Sequence, residues 1–314
     1  RAAAEYRREM ARDYTNYVSE PGRDLPLSEF TERSTPATRS IGYGKSMMVF
    51  HMLARRLGRE RFDAVLRRVY RDHLHRAASW ETWRKEFSKE AGEDLGWFFD
   101  QWVPRPGAPS LSLGDVSRSE AGSGWIVRGE LRQKEGAWRL LVPLAFEGEG
   151  KTETRTVEVA GASSEFSVEL PFRPERLVAD PDQDLFRRLD PAEVPPVLSL
   201  LLGDSKTLFV VDDGAEAETV AAYRELAKTL TRTGEGETVE ASKVSAASLA
   251  GRSVFLLGMP RGEAYDRLLA GLPAEVAAAR DRFAVQGVPY ATPGAALLAV
   301  GRKEGEPSRG VGLF

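Results

Sequence analysis

The sequence predicts a multidomain α+β protein: an all-helical lobe over residues 1–107, an antiparallel β-sandwich over 108–190, and an α/β layered domain over 191–314. Three observations carry this prediction. Apolar residues recur at a helical period up to Trp102, then at a period of two from Leu111 to Leu170. After Pro195-Pro196, short strand-like apolar runs alternate with amphipathic helical ones. A chain of 314 residues with 42% hydrophobic content has material for two or three cores.

In the helical lobe, Tyr6, Met10, Tyr14, Tyr17 and Val18 share a face of a helix over 1–18 that Pro21-Gly22 stops. A polar stretch with Pro26 and Pro36 leads to a second helix over 45–57. Phe62, Val65, Leu66, Val69 and Tyr70 form one stripe of a third, over 59–74. Ser79 is placed to cap a fourth, its hydroxyl accepting from a free N–H of the first turn. That helix buries Trp80, Trp83 and Phe87. Leu95, Phe98, Phe99 and Trp102 follow at i, i+3, i+4 and i+7 before Pro104 ends the run. The helical spacing of Trp80, Trp83, Trp97, Phe98, Phe99 and Trp102 favours core packing over a carbohydrate- or base-stacking surface.

From Ser110 the alternation Leu111/Leu113, Trp125/Val127, Val142/Leu144/Phe146, Val157/Val159 and Phe166/Val168/Leu170 marks short strands. Ala121-Gly122-Ser123-Gly124 and Gly148-Glu149-Gly150 supply the turns. Beyond Asp190-Pro191, residues 207–211 read as a buried strand ending in Asp212-Asp213-Gly214, followed by a helix over 217–231. A strand over 253–257, a helix over 263–279 and strands over 283–285 and 295–300 complete the layer.

Several function classes are excluded. Residues 1–106 hold 20 Lys and Arg against 16 Asp and Glu, the remainder 24 against 31, and no basic block is interleaved with aromatics, so no nucleic-acid partner is expected. Zero cysteines remove disulfides, thiolate metal sites and cysteine nucleophiles. No apolar run is long enough to span a bilayer; the nearest, Val194 to Leu202, contains two prolines and a serine. No Gly-x-Ser-x-Gly elbow occurs. Gly150-Lys151-Thr152 looks like the end of a phosphate loop, but Ala145 stands at its first glycine and the segment is a strand-to-strand turn. Asp180-x-Asp182-x-Asp184 begins like a calcium loop, with Leu185 at the turn glycine and Pro191 at the terminal glutamate. It reads instead as an exposed acidic turn capping a helix over 185–189. Asp212-Asp213, at the carboxyl end of a strand, stands where α/β folds place ligand groups.

Against this background one set of residues is distinctive. Tyr43-x-Lys45, Met52-Leu53, Leu57-Gly58, Phe62, then Asp94-Leu95-x-Trp97-Phe98-Phe99-x-Gln101-Trp102 and Pro106-Gly107-x-Pro109 resemble the aminopeptidase N family of gluzincin zinc metallopeptidases. The resemblance covers the helical lobe well and the β region loosely. It implies that residues 1–107 are the C-terminal half of a thermolysin-like catalytic domain. It also implies that Tyr43 is catalytic, donating a hydrogen bond to the oxyanion formed at the attacked peptide carbonyl. A phenol suits that task, being neutral at pH 7 and a strong O–H donor. Gly42 and Gly44 would let backbone and substrate approach closely. Ser46 stands where the family has glycine.

The sequence has no His-Glu-x-x-His, and its three histidines, His51, His73 and His75, lack the i, i+4 spacing that zinc ligands need on a helix. The resemblance implies zinc for a longer parent, and the missing ligands give the expectation of no metal or other cofactor in this chain. Peptide substrate would be met through a missing N-terminal half. The opening Arg-Ala-Ala-Ala-Glu, without initiator methionine or signal pattern, and the apolar end Val311-Gly312-Leu313-Phe314 give the expectation of an excised piece that is inactive alone. The resemblance favours an exported or cell-envelope parent over a cytoplasmic one. The alternative is a non-catalytic peptidase-like module that binds peptide or protein.

Overall fold

The computed structural model describes residues 2–18, 22–134, 136–231, 236–280, 282–291 and 294–314. The expected helix stop at Pro21 and helix start at Arg1 lie outside the described residues. The chain forms two compact units: Arg1–Thr15 with Asp24–Leu189, and Asn16–Arg23 with Asp190–Phe314.

The first unit opens with helices α1 (Ala2–Tyr17), α2 (Pro36–Arg39), α3 (Ser46–Leu57), α4 (Arg59–Asp72), α5 (Trp80–Ala91) and α6 (Gly96–Trp102). The predicted stripes turn inward in part: Tyr14, Val18, Phe62, Val65, Val69 and Phe87 are buried, as are Met48, Val49 and Leu53, whereas Leu66, Trp80 and Trp83 are half-buried, and Tyr6 and Tyr70, at the edges of their faces, are exposed. Phe50 gathers the aromatics of α4 and α5, its ring centroid 5.1 Å from that of Trp83 and 6.1 Å from that of Phe87. Ser79 caps α5 as expected, its side chain accepting from the Thr82 N–H. Trp102, at the end of α6, packs 4.7 Å from Trp138 and 6.0 Å from Phe186, joining the helices to the strands that follow.

Those strands are β1 (Ser110–Ala121), β2 (Gly124–Lys134), β3 (Leu140–Gly148), β4 (Lys151–Val159), β5 (Ser163–Leu170) and β6 (Arg176–Ala179). They form two antiparallel sheets, ordered β1-β2-β5 and β4-β3-β6. The alternating residues Val142, Leu144 and Phe146, with Phe166, Val168 and Leu170, are buried. Gly150-Lys151-Thr152 lies in the β3–β4 hairpin, where Glu149 and Gly150 take φ of 52° and 71°. Two successive positive φ angles are the tight-hairpin geometry that matches strand twist, so this segment is a turn and not a phosphate cradle.

The aspartate phrase corrects an expectation. Residues 185–189 are not helical, and the turn is not an exposed one. Asp180 is fully buried, accepts from the Asp184 and Leu185 N–H groups, and takes Arg187 Nε at 3.0 Å. Burial pushes its carboxyl up to about 6, against the opposing pull of the Arg187 charge and hydrogen bond. Asp184 is also buried; His51 Nε2 approaches it at 2.7 Å and Arg55 Nε at 2.9 Å. Burial works to raise the Asp184 carboxyl, but the His51 hydrogen bond and the Arg55 and Arg7 charges prevail and hold it below the ordinary range. Of the three aspartates only Asp182 is exposed. Sequence spacing alone showed an acidic run; it did not show the arginines and histidine that arrive from elsewhere in the chain.

In the second unit, α7 (Leu198–Leu202) precedes β7 (Leu208–Val211), α8 (Ala217–Leu230), β8 (Glu237–Glu240), β9 (Val254–Leu257), α9 (Glu263–Leu269) and β10–β12 (Val276–Ala278, Arg282–Val285, Val288–Ala291). Strands β13 (Ala299–Lys303) and β14 (Glu306–Leu313) follow. The main sheet has the order β13-β14-β9-β7-β8, with β14, β9, β7 and β8 parallel and β13 antiparallel. All four residues of β7 and of β9 are buried, because both faces are covered. Leu208, Val210 and Leu256 pack on one side, while Phe209, Val211 and Phe255 meet Val220 and Ala227 of α8 on the other. Two expectations are corrected here. The helix expected over 263–279 ends at Leu269, since Pro273 cannot continue it, and its tail becomes β10. The strand expected over 295–300 begins only at Ala299. The apolar residues Val311 to Leu313 are the buried end of β14, beside β9.

Replacing Asp180 by Asn breaks its buried ion pair with Arg187, so we expect a loss of about 3–5 kcal/mol in denaturant unfolding. Asp182→Asn, on the exposed part of the same turn, is expected to change stability by no more than about 0.5 kcal/mol.

Candidate functional site

Between α2 and α3, residues Ser40–Lys45 wind as a π-helical turn. Its start is well specified, with Thr35 accepting from the Thr38 N–H and Pro36 at the first helical position. A π-turn interrupts the regular i→i−4 ladder and loosens carbonyls from their usual partners. The Ser46 hydroxyl answers this by donating to the Gly42 carbonyl and, at 3.3 Å, lying near the Tyr43 carbonyl. Ser46 is thus part of what closes this turn.

The turn has two faces. Ile41, Gly44 and Lys45 are buried, whereas Tyr43 is 54% exposed. The Tyr43 ring is held at its base: Phe30 meets it edge-on at 6.0 Å, and the Arg33 guanidinium lies 5.8 Å from its centroid. Gly42 is needed for that arrangement, because a Cβ there would lie 2.2 Å from the Phe30 ring. At Gly44 a Cβ would make only ordinary contact, 3.8 Å from Met10. Close approach therefore matters at Gly42 alone, and what approaches is the chain's own Phe30.

Lys45 is the opposite of Tyr43. Its side chain is fully buried, and its ammonium donates to the carbonyls of Arg105 at 2.7 Å and Gly107 at 3.3 Å. The Gly107 N–H donates at 2.7 Å to Asp24, which also accepts from the Tyr14 hydroxyl. Burial pulls the Lys45 ammonium down to about 8, with Asp24 working to raise it and Arg105 lowering it further. The motif residue Tyr43 was named from the sequence, but the role of Lys45 was not. A signal existed: Ile41, Lys45, Met48, Val49 and Met52 share one apolar stripe, so a lysine on it must find acceptors inside.

The histidines are dispersed. His51 is engaged by Asp184, His73 sits at the C-terminal end of α4, and His75 is exposed with φ of 60°. Among the described residues no group of three or more His, Cys, Asp or Glu could hold a metal ion. Asp212 and Asp213 follow β7 as expected; Arg280 Nη2 lies 3.0 Å from Asp212, and the Ser242 N–H lies 3.0 Å from Asp213. Among the described residues, no helix is long and apolar enough to cross a membrane.

A helical lobe followed by antiparallel sheets and a mixed α/β sheet, with a phenol presented on a π-turn, defines the class: a multidomain α+β protein with one outward tyrosine as its candidate site. No family model matches the chain. It is 26% identical over 114 residues to Probable M1 family aminopeptidase 1 and to Probable M1 family aminopeptidase 2 of Encephalitozoon cuniculi, covering 36% of this chain and 13% of each relative. It is 29% identical over 103 residues to aminopeptidase N of Lactococcus lactis subsp. lactis, covering 33% of this chain and 12% of that protein. Among solved structures, aminopeptidase A of Legionella pneumophila in complex with aspartic acid aligns with a TM-score of 0.41 at 19% identity, over 73% of this chain and 26% of that one. Over about a third of its length the chain is distantly similar to M1 aminopeptidases. It spans only 13% or 12% of the length of the curated relatives it matches.

Two outcomes follow from this geometry. Gly42→Ala forces Phe30 off the Tyr43 ring and is expected to cost about 1–3 kcal/mol in unfolding experiments. The Lys45 pH dependence has a definite sign. The folded protein releases this proton near pH 8, and the unfolded chain near the ordinary 10.5, so between those values the unfolded chain holds more protons. The stability of the natural protein relative to Lys45→Met should therefore rise with pH across that window, by up to about 3 kcal/mol, in parallel denaturation series.

Proposed function

We propose that this chain is the C-terminal portion of a zinc-dependent aminopeptidase that hydrolyses N-terminal peptide bonds, with Tyr43 as its oxyanion donor. The observation that carries the reading is the outward phenol on a turn whose other face is pinned by Lys45. The distant similarity to M1 aminopeptidases supports it. In this reading residues 1–107 complete a catalytic domain, 108–190 form its neighbouring β domain, and 191–314 add an α/β domain.

When water adds to a peptide carbonyl, negative charge develops on the carbonyl oxygen. A neutral phenol aimed at that oxygen donates a hydrogen bond that strengthens as the charge grows, which lowers the barrier without tightening ground-state binding. Phe30 and Arg33 fix the ring, so little freedom is lost when the bond forms. Zinc in such a peptidase polarises the carbonyl and activates the water. The residues of this chain do not fit a zinc site, since His51 is committed to Asp184 and His73 and His75 lie two residues apart at the end of α4. In this reading the ligands, the general base and the anchor for the peptide amine belong to polypeptide outside this chain.

In the longer protein, Tyr43→Phe is expected to lower kcat on an aminoacyl anilide by about 10²–10³-fold while KM and bound zinc stay close to those of the natural protein. A kcat within about threefold of the natural value would remove Tyr43 from the reaction and leave a binding module as the better account. The chain by itself is expected neither to cleave the anilide nor to retain stoichiometric zinc.

A further inference from the structure

The first unit contains a cavity of about 170 Å³ that the Tyr43 site does not use. Its floor is apolar, built from Met52, Phe98, Trp102, Leu140 and Leu185, all buried. An apolar cavity of about 150 Å³ accepts a benzene ring, so this one has room for a single ring or a branched aliphatic group. Its rim is cationic: Arg55, Arg56 and Arg139 face it against one carboxylate, Asp184. Asp184 is already committed to His51, Arg55 and Arg7.

Two of the guanidiniums are set over the same indole. Arg139 lies 4.3 Å and Arg56 5.3 Å from the Trp97 ring centroid. The stacking leaves their planar N–H edges to meet a carboxylate. Their present partners are weak competitors. Arg139 pairs with Glu158 at 2.6 Å and Arg56 with Glu93 at 2.8 Å, and both glutamates are about half exposed. Solvent-exposed pairs of this kind contribute at most about 1 kcal/mol. The backbone beneath Arg139 is fixed independently, its N–H donating to Gln101 at 2.6 Å and its carbonyl accepting from the same side chain at 3.1 Å.

We propose that this cavity is a binding site for a small carboxylate carried on one apolar ring or branched chain, the apolar group entering between α3, α6 and β3 and the carboxylate meeting Arg139 and Arg56. The same chemistry is offered by a free acid and by the C-terminal residue of a peptide. Neither the zinc-peptidase reading nor Tyr43 is needed for it.

The test is a titration of the chain with 3-phenylpropionate, followed by Trp fluorescence and calorimetry. Saturable binding with Kd below about 1 mM is expected. The neutral analogue 3-phenylpropan-1-ol should bind about tenfold more weakly, as should the acid to Arg139→Gln or Arg56→Gln, because each change removes a charge-assisted hydrogen bond. Leu141→Trp, at the partly exposed mouth, should block binding while leaving the unfolding midpoint unchanged. If N-acetylglycyl-phenylalanine binds tighter than 3-phenylpropionate, the ligand is a peptide end; the reverse order makes it a free acid. No saturation of either by about 10 mM, equal affinity for acid and alcohol, or arginine variants that bind as the natural protein does would each overturn the proposal.

Discussion

A single buried ammonium organises the turn that presents Tyr43. Lys45 has left water entirely, and a charge moved into an apolar interior is held only where acceptors surround it. Here the acceptors are backbone carbonyls of Arg105 and Gly107, in the segment that carries the chain from the last helix of the lobe to its first strand. That choice ties the π-turn to the exit of the lobe. Asp24, bonded to the Gly107 N–H, lies near enough to offset part of the burial cost and fixes the same segment from the other side. The neighbouring Phe186 ring, 5.9 Å from the ammonium, completes the enclosure.

The orientation of Tyr43 follows from this anchor. Two residues apart on a helical turn, side chains diverge by more than a right angle, so pinning Lys45 inward sends Tyr43 outward. The π geometry and the Ser46 hydroxyl hold that divergence in place, and Phe30 with Arg33 limits the motion of the exposed ring. A phenol that serves a developing oxyanion needs this combination of exposure and restraint.

Much of the architecture was legible in the sequence because it rests on periodicity. The switch from a helical period to alternation at Ser110 marks where strands begin, and Ser79 was recognisable as a cap from its place before Trp80. What could not be read was anything set by contacts distant in sequence. Asp180 looks like a surface aspartate until Arg187 folds back on it and its neighbours' N–H groups close round it. The π-turn itself has no compositional mark beyond two glycines, of which only Gly42 is sterically required. Lys45 is the instructive case: its place on an apolar stripe was visible, but its partners lie about sixty residues away. At the candidate site the motif named Tyr43, and the fold supplied the reason why it faces out.

The most direct measurement is a crystal structure of the zinc aminopeptidase proposed above to contain this chain, with a phosphinate dipeptide analogue whose charged oxygen imitates the tetrahedral oxyanion. The account predicts the Tyr43 hydroxyl within about 3 Å of that oxygen, with Lys45 still bonded to the Arg105 carbonyl. A phosphinate bound elsewhere, or lying beyond hydrogen-bond reach of Tyr43 in a protein that cleaves aminoacyl anilides, would contradict it.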